Sequence, residues 1–274
     1  MRLLSNEEGN EVISNSLKNN DLFFAGRVGI SEIEACSLYD SGNPIPPILK
    51  DKLSNIAGIY GDCIDQFCAE YIESIRSCDI QIYWNLDSIK NHQNKVFKKH
   101  CIHSTFVENR SIEPFYFKNP WSLNLQNKKV LVISTFSESI TEQYKHKNDI
   151  WVNGVLPDFD LITYKPIQSI GNTGPHENWL QSLNFMKDEI SKLNFDVVLL
   201  GCGAYGMPLA SHIKNNLKKP SIYIGGGIQI LFGIKGKRWD NNSEIVSMYN
   251  DYWIRPKKEE TPNNFEVAEG GSYW

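Results

Sequence analysis

Two glycine-rich stretches late in the chain, Gly201-Cys202-Gly203-Ala204-Tyr205-Gly206 and Gly225-Gly226-Gly227, each follow a short apolar run and precede a helical pattern. Turns of this kind let backbone N–H groups approach an anion, and the first fits the G-x-G-x-x-G spacing of pyrophosphate-binding turns. Lys235, Lys237 and Arg238 follow at once and supply cations. Near the start, Arg27-Val28-Gly29-Ile30-Ser31-Glu32 places an arginine and a glutamate in a glycine-flexed turn after another short apolar run. A further strand-to-helix turn carries the hydroxyls of Ser137 and Ser139 at a helix start, where N–H groups are also free. The shared chemistry is capture of a phosphate-bearing ligand by backbone donors and cations.

Each feature also has a structural explanation. Glycines let a helix pack closely on a strand, and Arg27 and Glu32 make sense as an ion pair beside a helix start. A dinucleotide cofactor would need an acidic residue about 20 residues beyond the glycine turn, at the end of the next strand, to bind ribose. Tyr223, Ile224 and Gly225 stand there instead. NAD or FAD binding is therefore the secondary reading.

The elements that would position these groups follow from periodicity. Residues 195–200, 221–224, 129–134 and 160–164 read as strands, as do 22–25 and 79–84. Residues 7–17, 31–39, 48–56, 64–75, 177–193 and 228–232 read as helices, and the spacing of Ser31 and Glu34 predicts a capping box with Ser31 as N-cap. The segment 92–126 gives a mixed signal. Strands alternating with helices predict an α/β chain with a Rossmann-like doubly wound, mostly parallel sheet. We read one domain over 1–274, with a helix-rich N-terminal subregion over 1–100, a nucleotide-binding core over 125–240 and an irregular tail over 241–274. In that tail, Tyr273 and Trp274 either fold over the cleft or pin the tail to the core.

Composition narrows the partners. With 274 residues and a net charge of −4, the chain lacks the basic excess that nucleic-acid binding requires. No apolar run approaches the roughly 18 residues of a membrane span, and the start of the chain lacks a signal-peptide pattern, so a cytoplasmic protein is expected. The six cysteines show no C-x-x-C pair and read as core residues.

The Arg27 to Glu32 turn and the Leu200 to Gly227 unit, taken in order, resemble the GT-D glycosyltransferase superfamily and its relatives in polysaccharide-synthesis clusters. Members of that superfamily open with strand-Arg-Phe-Gly-Asp-Gly-Glu and carry a late strand-Gly-loop-helix-strand-Gly unit. The resemblance implies transfer of a sugar from a nucleotide-diphosphate-sugar donor to a hydroxyl of a glycan acceptor. It also implies a metal, manganese or magnesium, at the Asp-x-Glu pair. Glu32 matches the glutamate, but Ile30 stands at the aspartate position and cannot ligate a hard cation, which leaves metal dependence open.

On this reading Arg27, Gly29, Gly201, Gly203, Tyr205, Gly206, Gly225, Gly226, Gly227, Lys235, Lys237, Arg238, Ser137 and Ser139 form the donor site. Glu32 is the base, with Asp158, Asp160 and His176 as reserves. The alternatives are an NAD(P)-dependent oxidoreductase and a non-catalytic nucleotide or glycan binder. Oligomeric state is not legible.

Overall fold

The computed structural model describes residues 2–274. Eight strands form one all-parallel sheet: β1 (Leu3–Leu4), β2 (Phe24–Arg27), β3 (Ile80–Tyr83), β4 (Thr105–Glu108), β5 (Lys129–Ser134), β6 (Asp160–Tyr164), β7 (Val197–Gly201) and β8 (Ser221–Tyr223). Their spatial order is β1-β4-β3-β2-β8-β7-β5-β6. The α/β, doubly wound expectation holds. The central strands β7 and β8 are buried along most of their length, which explains their unbroken apolar sequence.

Helices cover both faces. One face carries α2 (Ile30–Asp40), α3 (Pro47–Asn55), α4 (Ile64–Arg76), α5 (Asp87–His100), α8 (Trp179–Ser191) and α9 (Gly206–His212), around a core that includes Ile33, Phe67, Trp179 and Leu209. The other carries α1 (Asn6–Lys18), α6 (Ser137–Tyr144), α7 (Lys147–Ile150), α10 (Gly227–Leu231) and α11 (Ser243–Val246), around Ile13, Trp121, Ile140 and Ile230. Every crossover that runs from the β1 edge toward β6 uses the second face, and every return uses the first. A single crossover hand is what right-twisted strands impose.

This winding opens two crevices at the carboxyl edge. The chain leaves β2 for α2 on one face and leaves neighbouring β8 for α10 on the other. Likewise it leaves β5 for α6 and neighbouring β7 for α9 in opposite directions. Ligands of open α/β sheets sit where neighbouring strands diverge in this way.

Several elements differ from expectation. Helix α2 starts one residue early with Gly29 as its N-cap and no side-chain cap, so Ser31 and Glu34 form no capping box. The mixed segment 92–126 contains β4, and Leu3–Leu4 pairs with it as the edge strand. The first hundred residues are rich in helix but also contribute strands to the same sheet. Strand β2 begins two residues later than the apolar run suggests, so Arg27 is its last residue and points from the carboxyl edge.

Candidate functional site

A cavity of about 280 Å³ opens across both crevices. The β2 turn contributes Arg27 to Glu32, the β7 turn Gly201 to Tyr205, the β8 turn Gly225 and Gly226, and the β5 turn Thr135 and Phe136. Arg27 and Glu32 therefore share one rim with both glycine turns.

The glycines divide by task. At Gly203, φ is +57° and nothing lies within 4 Å of where a Cβ would be, so this backbone faces open space. Gly225 has φ +65°, and a Cβ there would meet the Arg27 guanidinium at 2.9 Å. Gly201 and Gly206 instead serve packing: a Cβ on Gly201 would strike Ile228, and one on Gly206 the Tyr223 ring. Gly227 sits against Glu113 and Ile224. Tyr205 forms a wall, stacked on Trp179 with its hydroxyl on Ser169. Tyr223 takes the position of the missing ribose acid and donates its hydroxyl to the Gly203 carbonyl at 2.8 Å.

The partner of Arg27 is Glu113, not Glu32. Arg27 Nη1 donates to Glu113 Oε1 at 3.1 Å, and both side chains are largely buried. The guanidinium lies 5.2 Å from the Trp84 ring centroid, and the Trp84 indole N–H donates to the Val28 carbonyl. Burial pushes the Glu113 carboxyl up despite the Arg27 charge beside it.

Glu32 lies in the first turn of α2, its carboxylate folded back so close to Gly29 that any Cβ there would collide with it. The Gly29 N–H donates to the Tyr71 hydroxyl. Burial pushes the Glu32 carboxyl above its ordinary range, opposed by a hydrogen bond from its own backbone N–H and reinforced by the nearby charge of Glu269. Among the described residues no cation forms an ion pair with it.

Arg238 reaches the cavity beside Tyr273, its guanidinium 4.7 Å from that ring's centroid and 3.7 Å from Glu269. Its two neighbours in the basic stretch turn elsewhere: Lys235 lies over Tyr249 and Lys237 over Phe265. Tyr273 and Trp274 do line the cavity, with Trp274 held against Phe136 and Phe265.

Other expected site residues lie outside. Asp158 is exposed, paired with Lys147 at 2.8 Å, and precedes β6, so it and Asp160 occupy the amino edge of the sheet, opposite the cavity. His176 bonds Ser182 through Nδ1 at 2.9 Å and packs on Phe185 away from the cavity lining. Ser137 and Ser139 flank a helix start that the chain fills itself. The buried Glu260 carboxylate accepts from the N–H groups of Glu138 and Ser139 and from the Ser139 hydroxyl. Glu260→Ala would orphan all three donors, and chemical denaturation should show a loss of about 3 kcal/mol.

Glu113, Trp84, Glu269 and Gln168 at the site escaped the sequence reading. Trp84 had a signal, an aromatic directly after a strand end; Glu113 had none. Among the described residues no three His, Cys, Asp or Glu side chains converge as a metal-binding group, and Ile30 lies half-exposed in the cavity lining. The protein side chains do not by themselves fit a resident divalent ion.

No family model matches the chain, and no curated protein matches it. A solved structure described as a selenomethionine-substituted domain of unknown function 1792 is similar in fold, with a TM-score of 0.51 at 11% identity. The match covers 97% of this chain and 93% of that one.

Proposed function

We propose that the chain is a glycosyltransferase that moves a sugar from a nucleoside diphosphate donor to a glycan hydroxyl. One observation carries the reading: Arg27, Arg238 and the turns of Gly203, Gly225 and Gly226 meet at a single cavity, Gly203 with its backbone facing open space and Gly225 against the Arg27 guanidinium, and the Glu32 carboxylate lies beside them. The ordered resemblance of the Arg27 to Glu32 and Leu200 to Gly227 motifs to GT-D enzymes supports it.

In this reaction the acceptor hydroxyl gives its proton to Glu32 as its oxygen bonds to the anomeric carbon. The bond from that carbon to the diphosphate oxygen breaks, and the departing nucleoside diphosphate carries the added negative charge. The largely buried Arg27 and the more exposed Arg238 stabilise that charge, the buried cation more strongly because less water competes for it. Trp84, Tyr273 and Trp274 supply faces for a sugar or base.

A calorimetric panel tests the reading: nucleoside diphosphate sugars, with and without manganese, beside NADH. At least one nucleotide sugar is expected to bind in preference to NADH and to release nucleoside diphosphate on turnover. Preferential binding of NADH would replace the proposal with the oxidoreductase reading, and tight nucleotide-sugar binding without turnover on any acceptor would leave a binding protein.

A further inference from the structure

Residues 265–274 enter the cavity beside Arg238, and Ala268, Glu269, Tyr273 and Trp274 line it. The segment turns there through three successive left-handed residues: Glu269 (φ +52°), Gly270 (+67°) and Gly271 (+74°). For glutamate that conformation costs roughly 1–2 kcal/mol, so contacts rather than local preference hold the turn. Those contacts fall on groups that the proposed function assigns to a diphosphate. Glu269 Oε2 lies 3.7 Å from Arg238 Nη1, and the Tyr273 ring covers the same guanidinium. A Cβ on Gly226 would sit 3.2 Å from Tyr273, so the phenol lies over that turn. The Arg238 N–H donates to the Ser272 carbonyl, and the buried Gln229 amide donates to the Tyr273 carbonyl at 2.6 Å.

We propose that residues 265–274 are a built-in occupant of the phosphate end of the cavity, and that a bound diphosphate displaces them by taking Arg238 from Glu269. The inference rests on the diphosphate reading of the cavity. The two arginines differ in a way that favours it. Arg27 keeps a largely buried partner at 3.1 Å, whereas the Arg238 pair is longer and its carboxylate is half exposed. Exposed ion pairs of this kind are worth about 0–1 kcal/mol, and phosphate oxygens replace the carboxylate with better geometry and more charge. Displacement also enlarges a cavity whose volume of about 280 Å³ lies just below the roughly 300–1,000 Å³ of ligand sites.

The test uses inorganic pyrophosphate with wild type and Glu269→Gln, reading hydrogen exchange over residues 265–274 and pyrophosphate affinity by calorimetry. Pyrophosphate should speed exchange of the segment in wild type. Glu269→Gln should exchange faster without ligand and bind pyrophosphate about two- to five-fold tighter, the equilibrium equivalent of removing a competing surface ion pair. Equal or weaker binding by Glu269→Gln, or exchange that pyrophosphate slows or leaves unchanged, overturns the displacement. If pyrophosphate binds neither protein while Glu269→Gln still exchanges faster, the diphosphate reading falls and displacement with it, but Glu269 stands as the group holding the segment.

Discussion

Glu32→Gln is expected to slow glycosyl transfer by about 10²–10⁴-fold, the range for removing a general base, while nucleoside diphosphate affinity stays within about threefold of wild type. Glutamine keeps the shape and the hydrogen bonding of the α2 start but cannot accept the acceptor's proton. The carboxylate is suited to the role because burial raises its proton affinity. The sign of the pH dependence follows. The base exists only above its raised pKa, so the acid limb of the kcat/KM profile should lie above the ordinary carboxylate range and vanish in the variant.

Stability should move the other way. A carboxyl whose folded pKa exceeds its unfolded value helps the folded state when protonated, and that help is lost as pH rises through the folded pKa. At neutral pH the charged Glu32 therefore costs stability, and Glu32→Gln should melt at or above the wild-type temperature there, with the difference shrinking in mild acid. A variant that loses activity because it is poorly folded would instead melt lower. Turnover within about threefold of wild type would remove Glu32 as the base, since even weak general-base catalysis exceeds that.

How far the sequence carried the argument depended on the range of the interactions involved. Strands β5 and β6 were legible to the residue, because an apolar run ended by a turn is a local signal. The glycine turns were legible for the same reason. Convergence of the β2 turn with them followed from topology: all-parallel strands put every strand-to-helix turn on one edge, and opposed crossovers open the crevices. Side-chain direction was a different matter. Lys235, Lys237 and Arg238 look alike in sequence, yet the turn after α10 sends only Arg238 inward. Asp158 and Asp160 precede their apolar run, which fixed them at the amino edge, and the spacing that suggested a carboxylate pair concealed this. Glu113 and Glu260 come from irregular segments folded back across the sheet. Nothing local marks them, although one completes the Arg27 pair and the other fills the α6 start.

Arg27→Met should cost about 3 kcal/mol of stability and reduce diphosphate affinity at least tenfold, and the two losses are separable. The first arises because Glu113 is left buried without its cation, with Gly227 packed against it. Burial already raises the Glu113 carboxyl, and loss of Arg27 raises it further. The stability deficit should accordingly be small in mild acid, where the carboxyl is protonated, and grow as pH rises. Adding Glu113→Gln removes the stranded charge and should recover most of the lost stability, because neutral side chains of similar shape are tolerated where an unpaired ion is not. Binding should not recover, since the double variant has no cation at either position to meet a phosphate. Denaturation and pyrophosphate calorimetry on the four proteins of this cycle distinguish the two roles. If the double variant regains diphosphate affinity along with stability, Arg27 serves the fold alone, and Arg238 with the backbone of Gly203 and Gly225 must hold the leaving group without it.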